Sequence, residues 1–152
     1  MNPEQRLTEL GITLPAPAAP VAAYVPIRRV GNLLYISGQI PSRDGALIAT
    51  GPVPSAVGID QARTAARQCV LNGLAAAKAA LGSLDHIVSV VRVGAFVQSD
   101  AGFTDHPKVA NGASELLVEI FGDAGKHARA AVGCNTLPLN AAVEVELLLE
   151  VK

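Results

Sequence analysis

The sequence predicts an α+β domain, a mixed sheet with two helices on one of its faces, and three observations carry that expectation. Two stretches, 60–81 and 104–121, repeat apolar residues at steps of three and four, the period of an amphipathic helix. Five other stretches are rich in strand formers and flank the helices in the order β-β-α-β-α-β-β. At 152 residues the chain can bury one core but not two ordinary ones.

The elements follow in chain order. Asn2 suits the N-cap of a short helix over Pro3–Leu10, with Pro3 at its first position, Glu4 in its first turn and Gly11 as its stop. Pro15, Pro17, Pro20 and Pro26 favour extended chain, so residues 1–24 read as a helix and proline-rich tether ahead of a domain over 25–152. Val25–Val30 and Leu33–Ser37 form a hairpin around the turn pair Gly31-Asn32. Turn formers crowd 41–58 (Pro41, Asp44-Gly45, Gly51-Pro52, Pro54, Gly58) and predict a loop with at most a short strand at Ala46–Ala49.

Asp60 is the expected N-cap of the first long helix, and Gly82 ends it. The β-branched run of His86–Val97 reads as a strand in the sheet's interior. A second long helix begins at Thr104 or Asp105, buries Val109, Ala113, Leu116, Leu117 and Ile120, and stops at Gly122. Arg129–Cys134 and Ala142–Val151 complete the sheet. Helices on one face leave the other bare, and burying apolar surface contributes about 25 cal/mol per Å². An Ala- and Val-rich bare face therefore predicts that copies of the chain associate.

Composition narrows the function. Twelve Lys and Arg against 13 Asp and Glu give a net charge of −1, and this balance, with few aromatic side chains, argues against nucleic acid as a partner. Cys69 and Cys134 show no Cys-x-x-Cys spacing, which fits a reduced, cytoplasmic setting. The N-terminus lacks a basic segment followed by an apolar core, and no apolar run approaches the ~18 residues of a membrane span, so neither export nor a membrane partner is expected. His86 and His106 have no partners at metal-ligand spacing, so no metal is expected.

Three short stretches carry the chemistry: Tyr35-Ile-Ser-Gly-Gln-Ile-Pro41, His127-Ala-Arg-Ala130, and Leu137-Pro138 followed by Val143-Glu-Val-Glu146. In this combination and order the chain, from about Tyr24 to its end, resembles the YjgF-type (RidA-like) reactive-intermediate deaminases. The resemblance implies a fold like chorismate mutase of the bacilli type, assembled as a homotrimeric barrel with ligand pockets between subunits. It implies hydrolysis of 2-imino or enamine acids to 2-keto acids and ammonia, an activity like that of 2-iminobutanoate/2-iminopropanoate deaminases, without a cofactor.

Residue by residue, the resemblance assigns Arg129 to the substrate carboxylate, a task that suits a planar guanidinium with two parallel donors. It assigns Glu144 to orienting the attacking water, and a carboxylate in an apolar strand is costly unless bonded or used. Glu146, by strand alternation, is expected on the opposite sheet face from Glu144. Ser37 and Gly38 match the pair that approaches the ligand carboxylate, Tyr24 the lid tyrosine, and Asn111 the helix asparagine facing the cleft. The family commonly has Cys at the position of Ala131 and Pro at that of His127. The Ala131 carbonyl can still hold water, whereas thiol reactivity is lost. His127, in a Gly- and Lys-rich loop, is expected to be solvated and stands outside the catalytic set. Competing readings are a regulatory trimer that binds small carboxylates without turnover, an endoribonuclease or translation inhibitor, and, on fold analogy alone, a chorismate mutase.

Overall fold

The computed structural model describes residues 1–19 and 23–152. Of the proline-rich tether, Pro20, Val21 and Ala22 lie outside the described residues. Asn2 caps α1 (Pro3–Glu9) reciprocally: its side chain accepts the Gln5 N–H while the Gln5 side chain accepts the Asn2 N–H. The Glu4 carboxylate then docks α1, accepting from Lys78 Nζ at 2.8 Å and from the Leu84 N–H at 3.0 Å.

The hairpin is β1 (Ile27–Val30) and β2 (Leu33–Gln39), turned by Gly31 at φ 60°. The turn-rich segment holds a two-residue ladder, β3 (Ser42–Arg43) with β4 (Ala46–Leu47). Helix α2 spans Ile59–Leu81, one residue earlier than expected. Gly58, not Asp60, is its cap, and Asp60 lies in the first turn, where its charge favours the positive end of the helix. His86 belongs to a single 3₁₀ turn, Leu84–His86, ahead of β5 (Ile87–Gln98). The reason is local: Ser83 Oγ accepts the Asp85 N–H and holds the turn. Helix α3 (His106–Phe121), β6 (Ala128–Cys134) and β7 (Val143–Val151) follow.

The five long strands form one sheet in the order β1-β2-β7-β5-β6. Only β5 and β6 run parallel, joined through α3, so the sheet is mixed. Helix α2 lies over β2 and β7, and α3 over β5 and β6. The core lies between the layers, where Leu34, Val93, Val97, Val143 and Leu149 meet Cys69, Val70, Leu74, Leu116 and Leu117. Glycine lets the layers close: a Cβ on Gly112 of α3 would strike the Arg63 carbonyl of α2. Arg63–Glu115 at 2.8 Å and Arg67–Glu119 at 3.3 Å link the same two helices on their outer side. Among the described residues no helix is long and apolar enough to cross a membrane.

The face away from the helices is not the Ala- and Val-rich surface expected. Phe96, Leu148 and Val132 alternate there with Glu144, Glu146, Glu150 and Arg92. Glu146 is therefore on the same face as Glu144, contrary to expectation. Alternation separates neighbours i and i+1 and brings i and i+2 together, and the strict buried/half-buried pattern of β7 follows that period.

Candidate functional site

Strand β6 is a sheet edge, and Arg129 pairs across it with the buried Val93, which puts its side chain on the helix side of the sheet beside α3. There Arg129 Nη1 donates to Asn111 Oδ1 at 2.9 Å and to Ser114 Oγ at 3.1 Å. Nε and Nη2 have no hydrogen-bond partner, and no carboxylate lies within ion-pair distance of Arg129, among the described residues. Ser114 Oγ also lies 2.9 Å from His127 Nε2, whose Nδ1 is 2.6 Å from the Gly125 carbonyl. His127 is thus half-buried and bonded at both nitrogens rather than solvated, because α3 and the turn at 122–125 fold back on it. Ala131, two residues beyond Arg129 on the same face, is half-buried opposite Ala95. A shallow cavity of about 470 Å³ flanks this group, lined by Ser114, Glu115, Val118 and Glu119.

A second group forms on the opposite sheet face, where β2 meets β7. The Ser37 hydroxyl donates to the Val25 carbonyl at 2.7 Å, and its N–H to the Pro26 carbonyl at 2.9 Å, which ties down the chain beside the exposed Tyr24. Next to it the ladder is irregular between Ile36 and Gln39, and Gly38 faces Glu144. A Cβ on Gly38 would fall on Glu144 Oε1, so the missing side chain is the space the carboxyl occupies. Burial, and then the charge of Glu146, raise the Glu144 carboxyl above the usual glutamate range. Glu146 occupies the equivalent space over Gly94 and pairs with Arg92 Nη1 at 3.3 Å.

Within one chain, then, Arg129, Asn111 and Ala131 are together, and Ser37, Gly38 and Glu144 are together, with Tyr24 next to Val25 beside them. The two groups are not together. Strand β5 separates β6 from β7, which puts them ~10 Å apart, and the side chains leave opposite faces. Two polar neighbours of Arg129, Ser114 and His127, went unassigned in the sequence. Both carried a signal: Ser114 is three residues after Asn111 on one helix face, and His127 is two residues before Arg129.

Comparison with known proteins places these observations. The family described as "YjgF/chorismate mutase-like, putative endoribonuclease" matches residues 4–151. The chain is 44% identical to "Protein TCP17" of Trypanosoma cruzi, covering 95% of this chain and 91% of that one. It is 29% identical to a 2-iminobutanoate/2-iminopropanoate deaminase of Dermatophagoides farinae, covering 93% and 95%, and 31% identical to "Putative regulator AldR" of Lactococcus lactis, covering 92% and 95%. Among solved structures, Agrobacterium tumefaciens Atu1372, a protein of unknown function, superposes with a TM-score of 0.90 at 45% identity over 99% of this chain and 94% of that one. A "putative endoribonuclease" of Shewanella oneidensis superposes with a TM-score of 0.95 at 36% identity over 99% and 100%.

Proposed function

We propose, from the premise that this chain belongs to the YjgF/chorismate mutase-like family, that it hydrolyses 2-imino acids to 2-keto acids and ammonia. The observation that supports this best is Arg129, exposed, without an acidic partner among the described residues, and bonded through one nitrogen only. Its remaining Nε–Nη2 edge offers two parallel donors, the geometry that grips a carboxylate. The similarity to the 2-iminobutanoate/2-iminopropanoate deaminase of Dermatophagoides farinae points the same way.

Because Arg129 and Glu144 leave opposite faces of one sheet, a site that uses both takes Arg129 from one subunit and Glu144 from a neighbour. This suits a homotrimer with its pockets between copies. Arg129 binds the carboxylate of the imino acid and places the imine carbon near a water held by the Ala131 carbonyl and Glu144. Glu144 takes a proton from the water as the water oxygen bonds to the imine carbon and passes it to the nitrogen; it then carries the hydroxyl proton of the tetrahedral adduct to the amino group as C=O forms, the C–N bond breaks and ammonia leaves. Ser37 and Gly38 border the ligand, Asn111 holds the anchor, and Tyr24 covers the opening. Imines hydrolyse readily in water, so positioning and one proton shuttle suffice. The free thiols of Cys69 and Cys134 suit a reducing compartment such as the cytoplasm.

An amino-acid oxidase that generates the imine, with semicarbazide trapping what survives, tests the reading. Purified protein should lower the trapped fraction, and Arg129→Ala should abolish that effect; unchanged trapping across several side chains rules the activity out. A second reading, a regulator that binds small carboxylates without turnover, is favoured by the similarity to AldR. Arg129-dependent binding of 2-ketobutyrate with unchanged imine decay would establish it instead.

A further inference from the structure

We propose that His127 and Ser114 are positioning residues that hold the Arg129 guanidinium with one edge turned out for a carboxylate. The inference rests on the reading of Arg129 as the anion anchor and extends it to two residues to which the resemblance gives no role.

Hydrogen-bond chemistry gives the chain a single direction. A carbonyl only accepts, so the 2.6 Å contact with Gly125 places the imidazole proton on Nδ1. In the neutral imidazole Nε2 is then the acceptor, and the Ser114 hydroxyl donates to it across 2.9 Å. With its proton committed, Ser114 Oγ presents only lone pairs to Arg129, 3.1 Å away. Nη1 carries two hydrogens, and Asn111 accepts the other at 2.9 Å. Nη1 is thereby satisfied and the Nε–Nη2 edge is left for a ligand.

The far end of the chain is closely packed. Gly125 is buried, and a Cβ there would strike the Leu117 carbonyl of α3, so its backbone packs directly against the helix backbone. The anchor is thus braced by α3 directly, through Asn111 and Ser114, and again by way of Gly125 and His127. The brace lowers the ordering cost of binding. An exposed arginine loses rotamer entropy when fixed, and a guanidinium already held loses less of it to the ligand.

Titration calorimetry with 2-ketobutyrate on the wild type, Arg129→Ala, Ser114→Ala and His127→Phe tests this, with thermal melts as a check on folding. Ser114→Ala keeps a good helix former and His127→Phe keeps the ring. Each should raise Kd by about 3- to 10-fold, the scale of one lost hydrogen bond. Because the two act in series, the double variant should be little worse than either single one. Nitrogen NMR should find the His127 proton on Nδ1, and the Arg129 Nε–H should be rigid in the wild type and mobile in His127→Phe.

Wild-type affinity in both single variants, alongside lost binding in Arg129→Ala, overturns the positioning inference and leaves the anchor standing. No binding by the wild type, or binding unaffected by Arg129→Ala, overturns the anchor reading. The NMR then decides the brace by itself: a proton on Nε2, or Arg129 mobility unchanged by His127→Phe, overturns it.

Discussion

Gly38 is glycine because Glu144 needs the room. A methyl group at position 38 would fall on the Glu144 carboxyl oxygen and push it off its place on the sheet. Gly38→Ala should therefore lower imine hydrolysis by about 10-fold or more, part of the 10²- to 10⁴-fold that a positioned acid–base group contributes, and the semicarbazide assay reads it. The charge state of Glu144 is open to a separate test. Burial and Glu146 raise its folded pKa, so folding disfavours the carboxylate. The stability it contributes is fully present below the ordinary glutamate pKa of about 4.3 and is lost as pH rises through the raised folded value. Glu144→Gln has no such dependence. Urea midpoints of the two proteins should run parallel below that window, and above it the variant should be the more stable.

At the scale of elements, the contact between α2 and α3 is set by a glycine that propensity alone would replace. Alanine at an exposed helix position stabilises by ~1 kcal/mol over glycine. Gly112 is instead buried against the Arg63 carbonyl, and the added methyl group would meet backbone that cannot rotate away. Gly112→Ala should destabilise by roughly 1–3 kcal/mol, the range for overpacking a close contact, seen as a lower urea midpoint. A midpoint at or above the wild-type value would show that the helices separate without cost. The same displacement would carry Asn111 and Ser114 away from Arg129, since all three positions lie within one turn of α3 or bond to it.

For the whole molecule, the sheet splits the proposed machinery between its two faces, and a site holding both Arg129 and Glu144 spans two copies. Inactive Arg129→Ala and Glu144→Ala chains, unfolded together and reassembled in equal amounts, should recover about a quarter of the wild-type activity if a cyclic trimer exchanges subunits at random. Each variant refolded alone should stay inactive. No recovery from a mixed assembly verified by mass spectrometry would mean that both residues act from the same chain. Sedimentation should report three chains per particle.

The sequence by itself determined the elements and their order. Apolar spacing in α2 and α3, the β-branched run in β5, and the Asn2, Gly82 and Gly122 boundaries act between near neighbours and need no partner to be read. Quoted motifs also named Arg129, Ser37, Gly38 and Glu144, and strand alternation already puts Glu144 and Glu146 on one face. Only the tertiary structure decided who meets whom. That β7 lies between β2 and β5, that β6 is an edge, and that His127 reaches Ser114 depend on contacts between residues far apart along the chain. Such contacts form only when the sheet and its helix layer close on one another, so no local pattern encodes them.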